Sequence, residues 1–139
     1  MESNLVTLQI PSIPGYEKTA MITAAELARL AGADEEKALN LSTAVSEACL
    51  NAMEHSHRFN TDMPIKLTFR CRPGLLSIDI EDSGKPFEIP SSRPSLDIEK
   101  GAKCRGWGLF LIHNLVDKFE VLPTECGNAV RITILFPGD

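Results

Sequence analysis

The chain has 139 residues, of which 43% are hydrophobic and 24% charged, and these values suit one globular domain rather than a disordered or fibrous chain. A formal net charge of −5 counts against a general nucleic-acid binder, because such proteins carry a basic face. No apolar run approaches the roughly 20 residues of a membrane span and no signal peptide is recognisable, so we expect a cytoplasmic protein without direct nucleic-acid or membrane contacts.

Apolar alternation and helical spacing predict a succession of short elements. In chain order they are a strand at 4–10, helices at 16–31 and from 35 to about 55, strands at 65–71 and 75–81, a helix at 106–118, and strands at 119–122 and 129–136. Asp34 has the residue type of an N-cap for the second helix. Adjacent hairpins and segregated helices predict a single α+β domain over 1–139, a two-layer sandwich with a mixed, largely antiparallel sheet covered on one face by helices.

The stretch between the strand at 75–81 and the helix at 106–118 is rich in proline and serine. Pro86, Pro90 and Pro94 lie within it, and Gly101 follows them. A structureless segment of this length inside a compact domain is usually functional. We therefore expect this segment to be functional or mobile.

The cysteines are far apart in the sequence and form no C-x-x-C pair: Cys49, Cys71, Cys104 and Cys126. Structural zinc needs closely spaced ligands, so this spacing counts against a zinc site. Without an export signal we expect reduced thiols. We interpret His55 and His57 as part of a polar helix end rather than as metal ligands.

The second predicted helix contains the segment S-E-A-C-L-N-A-M-E-H. Glu47 and Asn51 are four residues apart in it, so they share one face of the helix. A carboxylate and a carboxamide stacked in this way offer oxygen ligands and a proton acceptor. Mg²⁺ prefers oxygen ligands and takes one or two of them from protein when it lies beside phosphates.

The segment D-S-G-K-P-F begins at Asp82, just beyond the strand at 75–81. An aspartate in this position can present its carboxylate to a cleft, where it would accept a hydrogen bond from an exocyclic amine such as that of adenine. Gly84 permits the backbone to approach a ligand closely. The same residue types also form ordinary turns.

The segment R-G-W-G-L-F-L-I opens a helix after the long loop. Free amides at a helix N-terminus bind phosphate, and Gly106 and Gly108 stand at this helix start. The segment is not a dinucleotide G-x-G-x-x-G, since Leu111 occupies the last position, and the chain contains no P-loop sequence.

Taken together and in order, the motifs resemble the ATP-binding fold shared by gyrase, Hsp90, histidine kinases and MutL. The shared pattern is E-x-x-x-N-A-x-x-H on a helix, D-x-G-x-P-F after a strand, a long loop, then R-G-x-G-L-x-L-I. Within that fold the chain is most similar to the anti-sigma-factor serine kinases, through its small size and the segments A-V-S-E-A-C-L-N-A, D-S-G-K-P-F and L-I-H-N-L-V-D. The resemblance covers nearly the whole chain, from the first strand to Thr133.

This resemblance implies a role for each motif. Glu47 is implied as the catalytic carboxylate, which orients or deprotonates the attacking hydroxyl, and Asn51 as the Mg²⁺ ligand. Asp82 is implied as the aspartate that binds adenine, with Gly84 beside the base. Thr133 matches a late threonine near adenine.

The resemblance further implies a mobile ATP lid at about 83–105, which closes over the ATP phosphates at the second glycine box. The residues of this box that we assign to ATP binding are Gly106, Gly108 and Leu109. Lys103 and Arg105 flank the glycines, and from their position and charge we expect them to neutralise phosphate charge.

The implied function is that of an ATP-dependent serine/threonine protein kinase with Mg²⁺ as cofactor. As an anti-sigma factor it would phosphorylate an anti-anti-sigma protein of the STAS type and sequester a sigma factor, commonly as a homodimer. Two alternatives stay open: a non-catalytic ATP-binding partner-switch module, and the detached ATPase domain of a histidine kinase. The presence of Glu47 counts against the first, and the lack of a helix pair with a phospho-accepting histidine counts against the second.

Overall fold

The computed structural model describes residues 4–56, 60–83, 112–124 and 127–137. Its elements are β1 (Asn4–Ile10), α1 (Glu17–Leu30), α2 (Glu35–Asn51), a π-helical turn (Ala52–Ser56), β2 (Ile65–Arg72), β3 (Leu75–Asp82), β4 (Lys118–Thr124) and β5 (Gly127–Leu135). Residues 112–115 are also helical. The predicted order of elements is confirmed. The helix expected at 106–118 is described from residue 112, and it ends at 115 because β4 already begins at Lys118.

The strands form a five-stranded sheet in the order β1-β2-β3-β5-β4. Each neighbouring pair of described strands is antiparallel. The largely antiparallel character is therefore confirmed, whereas the expected parallel component is not found among these pairs. Two helices follow β1 and return the chain to the end of the sheet that β1 reached, which makes β2 antiparallel to β1. β3 and β4 run in the same direction, but β5 lies between them and pairs with both.

The two long helices pack against each other through small residues. Asp34 caps α2 as predicted, and its side chain accepts a hydrogen bond from the Lys37 amide at 2.8 Å. Both helices contain buried alanines, which allow close packing in the helix layer and against the sheet: Ala20, Ala24 and Ala28 in α1, and Ala38, Ala44 and Ala48 in α2. Over the described ranges, neither helix combines the length and the apolar character that a membrane crossing demands.

The helices cover one face of the sheet, and the core lies between the two layers. Side chains alternate between the faces of a strand, so Ile78 and Ile80 of β3 point into the core. Asp82 shares their parity and therefore belongs to the helix-covered face, whereas Asp79 belongs to the opposite face. This confirms the predicted two-layer α+β architecture.

The uncovered face of the sheet carries a cross-strand ion-pair network. The Asp79 carboxylate accepts hydrogen bonds from Arg70 at 2.7 Å and from Arg131 at 2.7 and 3.0 Å. Burial alone would raise the pKa of Asp79, but the bonds from Arg131 and Arg70 outweigh it and hold that pKa below its ordinary value. The network thus joins the three central strands on the side away from the core.

The two edges of the sheet differ in character. The edge strand β1 has the sequence N-L-V-T-L-Q-I, without a charge or a proline, and its Leu5 is 61% exposed. The opposite edge strand β4 contains Lys118, Glu120 and Pro123. Charges and prolines on an edge oppose pairing with further strands, so β4 is protected against such pairing and β1 is not.

We expect the Asp79 network to stabilise the fold mainly above the ordinary aspartate pKa of 3.8. A carboxyl with a lowered folded-state pKa contributes its stability above the unfolded pKa and loses it as the pH falls. Asp79→Asn should therefore lower the free energy of unfolding by about 1–3 kcal/mol at neutral pH. The loss relative to the wild type should shrink as the pH falls below 3.8, measured by urea denaturation at several pH values.

Asp62→Asn, in an exposed turn, is the matched control and should leave the free energy of unfolding unchanged. A deficit of Asp79→Asn that stayed constant from neutral to acid pH would contradict the electrostatic role of the network.

Candidate functional site

Glu47 and Asn51 lie on one flank of α2, at the border between its buried face and solvent. Both residues are half-buried. The buried face of the helix is formed by Leu41, Val45 and Ala48 at three- and four-residue spacing. The structure thus brings the two predicted residues together, one helical turn apart, beside the core rather than in it.

This flank faces away from α1. The groove between the two helices is lined, on the α2 side, by Leu39, Ser42 and Ser46. At about 100° per residue, Glu47 and Asn51 lie roughly 100–140° around the helix axis from Ser46. They therefore face the other side of the helix layer.

Lys37, near the start of α2, attaches the helix to the end of β5. Its ammonium group donates to the Asp117 carboxylate at 2.9 Å and to the Leu135 carbonyl. The same Asp117 oxygen accepts from the Leu135 amide at 2.7 Å. Burial acts to raise the pKa of Asp117, but the bonds from Leu135 and Lys37 leave it below its ordinary value.

The lengths of α2 and β5, both measured from the contact between Lys37 and Leu135, indicate where α2 ends relative to the sheet. α2 contacts β5. At 1.5 Å per residue, the helix rises about 21 Å from Lys37 to Asn51. At 3.4 Å per residue, β5 covers about 24 Å from Leu135 back to Asn128. The agreement of these lengths places Asn51 and Asn128 at the same end of the molecule.

The side chain of Asn51 contains a buried amide nitrogen, Nδ2, that finds no hydrogen-bond partner among the residues that the structure describes. A buried polar atom without a partner costs about 1–3 kcal/mol and calls for an explanation. A rotation of the amide by half a turn exchanges its nitrogen and oxygen, so the same position can present an oxygen to a cation. An amide oxygen is a ligand type that Mg²⁺ accepts, so Asn51 fits the expected Mg²⁺ site.

The helix continues beyond Asn51 in a different form from the one expected. Residues Ala52–Ser56 form a π-helical turn, where an α-helix to about His55 was predicted. A π-turn accommodates an additional residue in the helix, and such turns are frequent at functional sites. The regular α-helical geometry therefore ends at Asn51.

Asp82 is the last residue of β3, one residue inside the strand rather than just beyond it as expected. Its Oδ1 accepts a hydrogen bond from Nδ2 of Asn128 on β5 at 3.0 Å. The two residues are paired across the β3–β5 ladder, and Asn128 is 3% exposed. The carboxylate that was assigned to adenine is thus held by a buried amide on the neighbouring strand.

Gly127 packs directly against the backbone of Asp82 and Ser83. A Cβ atom at Gly127 would lie 2.1 Å from the Asp82 carbonyl oxygen and 2.5 Å from the Ser83 Cα. Neither neighbour is a flexible side chain, so a larger residue would displace the end of β3. The sequence analysis missed Gly127 and Asn128. The sequence feature that could have indicated them is the glycine at the start of the last strand, but its meaning depends on the strand register.

The structure does not bring Thr133 together with Asp82. Thr133 pairs with Ser77, which lies about 17 Å from Asp82 along β3. By the alternation of side chains, Thr133 faces the uncovered side of the sheet, while Asp82 faces the helices. The assignment of Thr133 to the adenine end is therefore corrected, and Asn128 occupies the position across from Asp82.

The remaining predicted site residues, and nearly all of the predicted lid at 83–105, lie outside the described residues. The site residues concerned are Gly84, Lys103, Arg105, Gly106, Gly108 and Leu109. Of the cysteines, Cys49 and Cys71 are free thiols, and burial raises the pKa of Cys49 to about 12. Cys104 and Cys126 also fall outside the described ranges.

A family model described as a histidine kinase-like ATPase domain matches residues 10–134. The chain belongs to this family. The match extends from the end of β1 almost to the end of β5, so it includes α2 and the β3–β5 ladder. It confirms the resemblance on which the motif assignments were based.

Curated relatives include proteins named serine-protein kinase RsbW. The one from Listeria monocytogenes serovar 1/2a is 29% identical over 126 residues, which cover 86% of this chain and 80% of the relative. The one from Bacillus subtilis strain 168 is 24% identical over 144 residues, covering 99% of this chain and 89% of the relative.

Solved structures share the fold. The RsbU and RsbW domains of a Mycobacterium tuberculosis protein match with a TM-score of 0.67 at 17% identity, over 95% of this chain and 32% of that one. The histidine kinase domain of a blue-light-activated kinase from Erythrobacter litoralis matches with a TM-score of 0.56 at 18% identity, over 86% of this chain and 60% of that one. These likenesses confirm the architecture of the histidine kinase-like ATPase domain.

The buried amide of Asn51 leads to a prediction about the nucleotide-free protein. Asn51→Leu keeps the branched shape of the side chain and removes the buried polar atom, so it should raise the free energy of unfolding by about 1–3 kcal/mol. The same change should abolish the rise in melting temperature that Mg-ATP produces in the wild type. Thermal denaturation with and without Mg-ATP measures both effects.

Asn40→Leu makes the same exchange in α2, about three turns earlier, and should keep the stabilisation by Mg-ATP. If Asn51→Leu were still stabilised by Mg-ATP as strongly as the wild type, Asn51 would not be a ligand of the bound nucleotide complex.

Proposed function

We propose that this chain is an ATP-dependent serine/threonine protein kinase that acts as an anti-sigma factor. It would phosphorylate an anti-anti-sigma protein of the STAS type and sequester a sigma factor. The observation that carries the proposal is the flank of α2. There Glu47 precedes by one turn a buried Asn51 amide that has no partner within the described ranges. This flank ends at the side of the molecule where Asp82 lies.

Adenine binding in this proposal belongs to the end of β3. The Asp82 carboxylate accepts a hydrogen bond from the exocyclic amine of adenine. Its position at the end of a strand on the helix-covered face supports this role, because it places Asp82 on the same side of the sheet as α2. Gly84, just beyond the strand, would let the backbone lie close to the base.

Asn51 would hold the magnesium ion through its amide oxygen. When bound, ATP would supply the phosphoryl group and Mg²⁺ would neutralise charge on the phosphate oxygens. The amides around Gly106 and Gly108, with Leu109, would receive the phosphates at a helix start. Lys103 and Arg105 would add positive charge beside them.

Glu47 would act on the substrate hydroxyl. Phosphoryl transfer is mostly a matter of positioning and charge neutralisation, and a carboxylate is needed to orient or deprotonate the attacking serine or threonine. Glu47 lies one turn before Asn51 on the same flank, so it can reach a hydroxyl beside the phosphate end of the nucleotide.

This proposal involves two protein partners, of which only one is chemically modified. The STAS-type protein receives the phosphoryl group, and the sigma factor is bound without being modified. We propose a cytoplasmic location and a homodimeric state, as the family resemblance implies. ATP or ADP in the pocket would decide which partner is bound.

The role of Glu47 can be separated from nucleotide binding. Glu47→Gln keeps the size and polarity of the side chain but removes the basic carboxylate. It should lower the rate of phosphoryl transfer to a STAS-type protein of the same organism by about 10²–10⁴-fold. Its dissociation constant for ATP should stay within a few-fold of the wild type, measured by calorimetry beside a radiolabelled-ATP transfer assay.

Glu36→Gln, in the exposed first turn of α2, is the control and should transfer phosphate at the wild-type rate. Full activity of Glu47→Gln would remove Glu47 from the mechanism. A wild-type protein that binds ATP and the partners but transfers no phosphate would indicate a non-catalytic partner-switch module instead.

A further inference from the structure

We propose that the uncovered face of the sheet is a docking surface for an acidic segment of a partner protein. This face lies on the side of the sheet away from α2 and Asp82, so the inference does not depend on the nucleotide site. By the alternation of side chains, five cationic residues share it, and we call them the basic patch: Lys66, Arg70, Arg72, Lys118 and Arg131.

The basic patch has the opposite charge to the chain as a whole. The full chain has 14 basic and 19 acidic residues and a formal net charge of −5. On the strands, the uncovered face combines the five cations with three acidic residues: Asp79, Glu81 and Glu120. The face therefore carries a formal charge of +2, which leaves −7 for the rest of the chain. Such an asymmetry favours a partner surface of negative charge.

The Asp79 carboxylate holds the two central guanidinium groups in place. It accepts one bond from Arg70, at 2.7 Å, and two from Arg131, at 2.7 and 3.0 Å. Its side chain is 12% exposed, whereas those of Arg70 and Arg131 are 41% and 36% exposed. One nearly buried negative charge is thus shared by two accessible cations. Each guanidinium has five N–H donors, so both retain donors for a further carboxylate, and these are fixed before a partner arrives.

The shape of this face suits a chain segment lying along the middle strands. The register sets Arg70, Ser77, Thr133 and Lys118 side by side on β2, β3, β5 and β4. The short side chains of Ser77 and Thr133 therefore lie between two long cationic ones. With strands about 4.8 Å apart, the backbones of Arg70 and Lys118 are separated by about 14 Å. An α-helix with its side chains is about 10–12 Å wide, so one helix or one extended segment fits between them.

The extent and chemistry of the basic patch favour carboxylates of a protein over other anions. Small-molecule sites are concave and enclose most of the ligand, whereas this patch also extends about 20 Å along β2 from Lys66 to Arg72. Guanidinium groups match the planar carboxylate with two parallel hydrogen bonds. A nucleic acid is a dense, continuous polyanion, and the charge of −7 on the rest of the chain repels it more than a segment with a few carboxylates.

The test titrates the full chain into a fluorescein-labelled oligoglutamate peptide and follows fluorescence anisotropy at low salt. The double variant Arg72→Gln and Lys118→Gln removes two cations of the basic patch and leaves the bonds of Asp79 intact. Its dissociation constant for the peptide should rise about threefold to thirtyfold, because two exposed charge pairs are lost. Added salt should weaken binding to the wild type. Lys66→Gln, in the same patch, provides a second variant if the first does not fold.

The matched control is the double variant Lys18→Gln and Arg29→Gln, which removes two exposed cations from α1, on the other side of the sheet. It changes the net charge equally and should leave the dissociation constant for the peptide nearly unchanged. An equal loss of affinity in both double variants would overturn the inference, because the peptide would then respond only to overall charge.

Two further probes distinguish other sources of negative charge. One is a double-stranded DNA oligonucleotide, and the other is a vesicle that contains phosphatidylglycerol. Tighter binding of either probe than of the peptide, at the same concentration of anionic groups, would overturn the assignment to a protein partner. A wild type that does not bind the peptide at low salt would overturn it as well. ATP affinity, measured separately by calorimetry, should be the same in the wild type and in both double variants, so none of these results decides the proposed function.

Discussion

The antiparallel pairing of β3 with β5 is the constraint on which the core and the candidate site both depend. The ladder places Ile80 opposite Val130 on the helix-covered face and Asp79 on the opposite face. The same register brings Asp82 to Asn128 at the end of the strand. A slip by one residue would move every side chain of β5 to the other face. Burial of the core thus fixes the geometry around Asp82.

Local patterns in the sequence predicted the parts of the site that lie within one element. The spacing of Glu47 and Asn51 gives their common flank, because four residues make about one helical turn. Asp82 could be placed at a strand end from the residues beside it. The partner of Asp82 could not be predicted in this way, because it depends on which residue of a distant strand lies opposite. The sequence pattern pointed to Thr133, whereas the strand register places Asn128 opposite Asp82.

The candidate site contains two features that do not favour the stability of the fold. The buried face of α2 is mostly apolar, yet at the end of the helix a buried amide has no partner among the described residues. The regular helix changes to a π-helical turn at the next residue. Departures of this kind are expected at functional positions, where selection for a ligand outweighs selection for the empty protein. The membership of the histidine kinase-like ATPase family agrees with this interpretation.

The unequal edges of the sheet limit how copies of this chain can join through strands. Addition at β4 is opposed by Lys118, Glu120 and Pro123, whereas β1 has neither charge nor proline. If two copies pair through their β1 strands, the unprotected edge of each copy is occupied. The combined sheet then ends in a β4 strand on both sides. Such growth stops at a closed pair related by a twofold axis, and a fibre cannot propagate by this route.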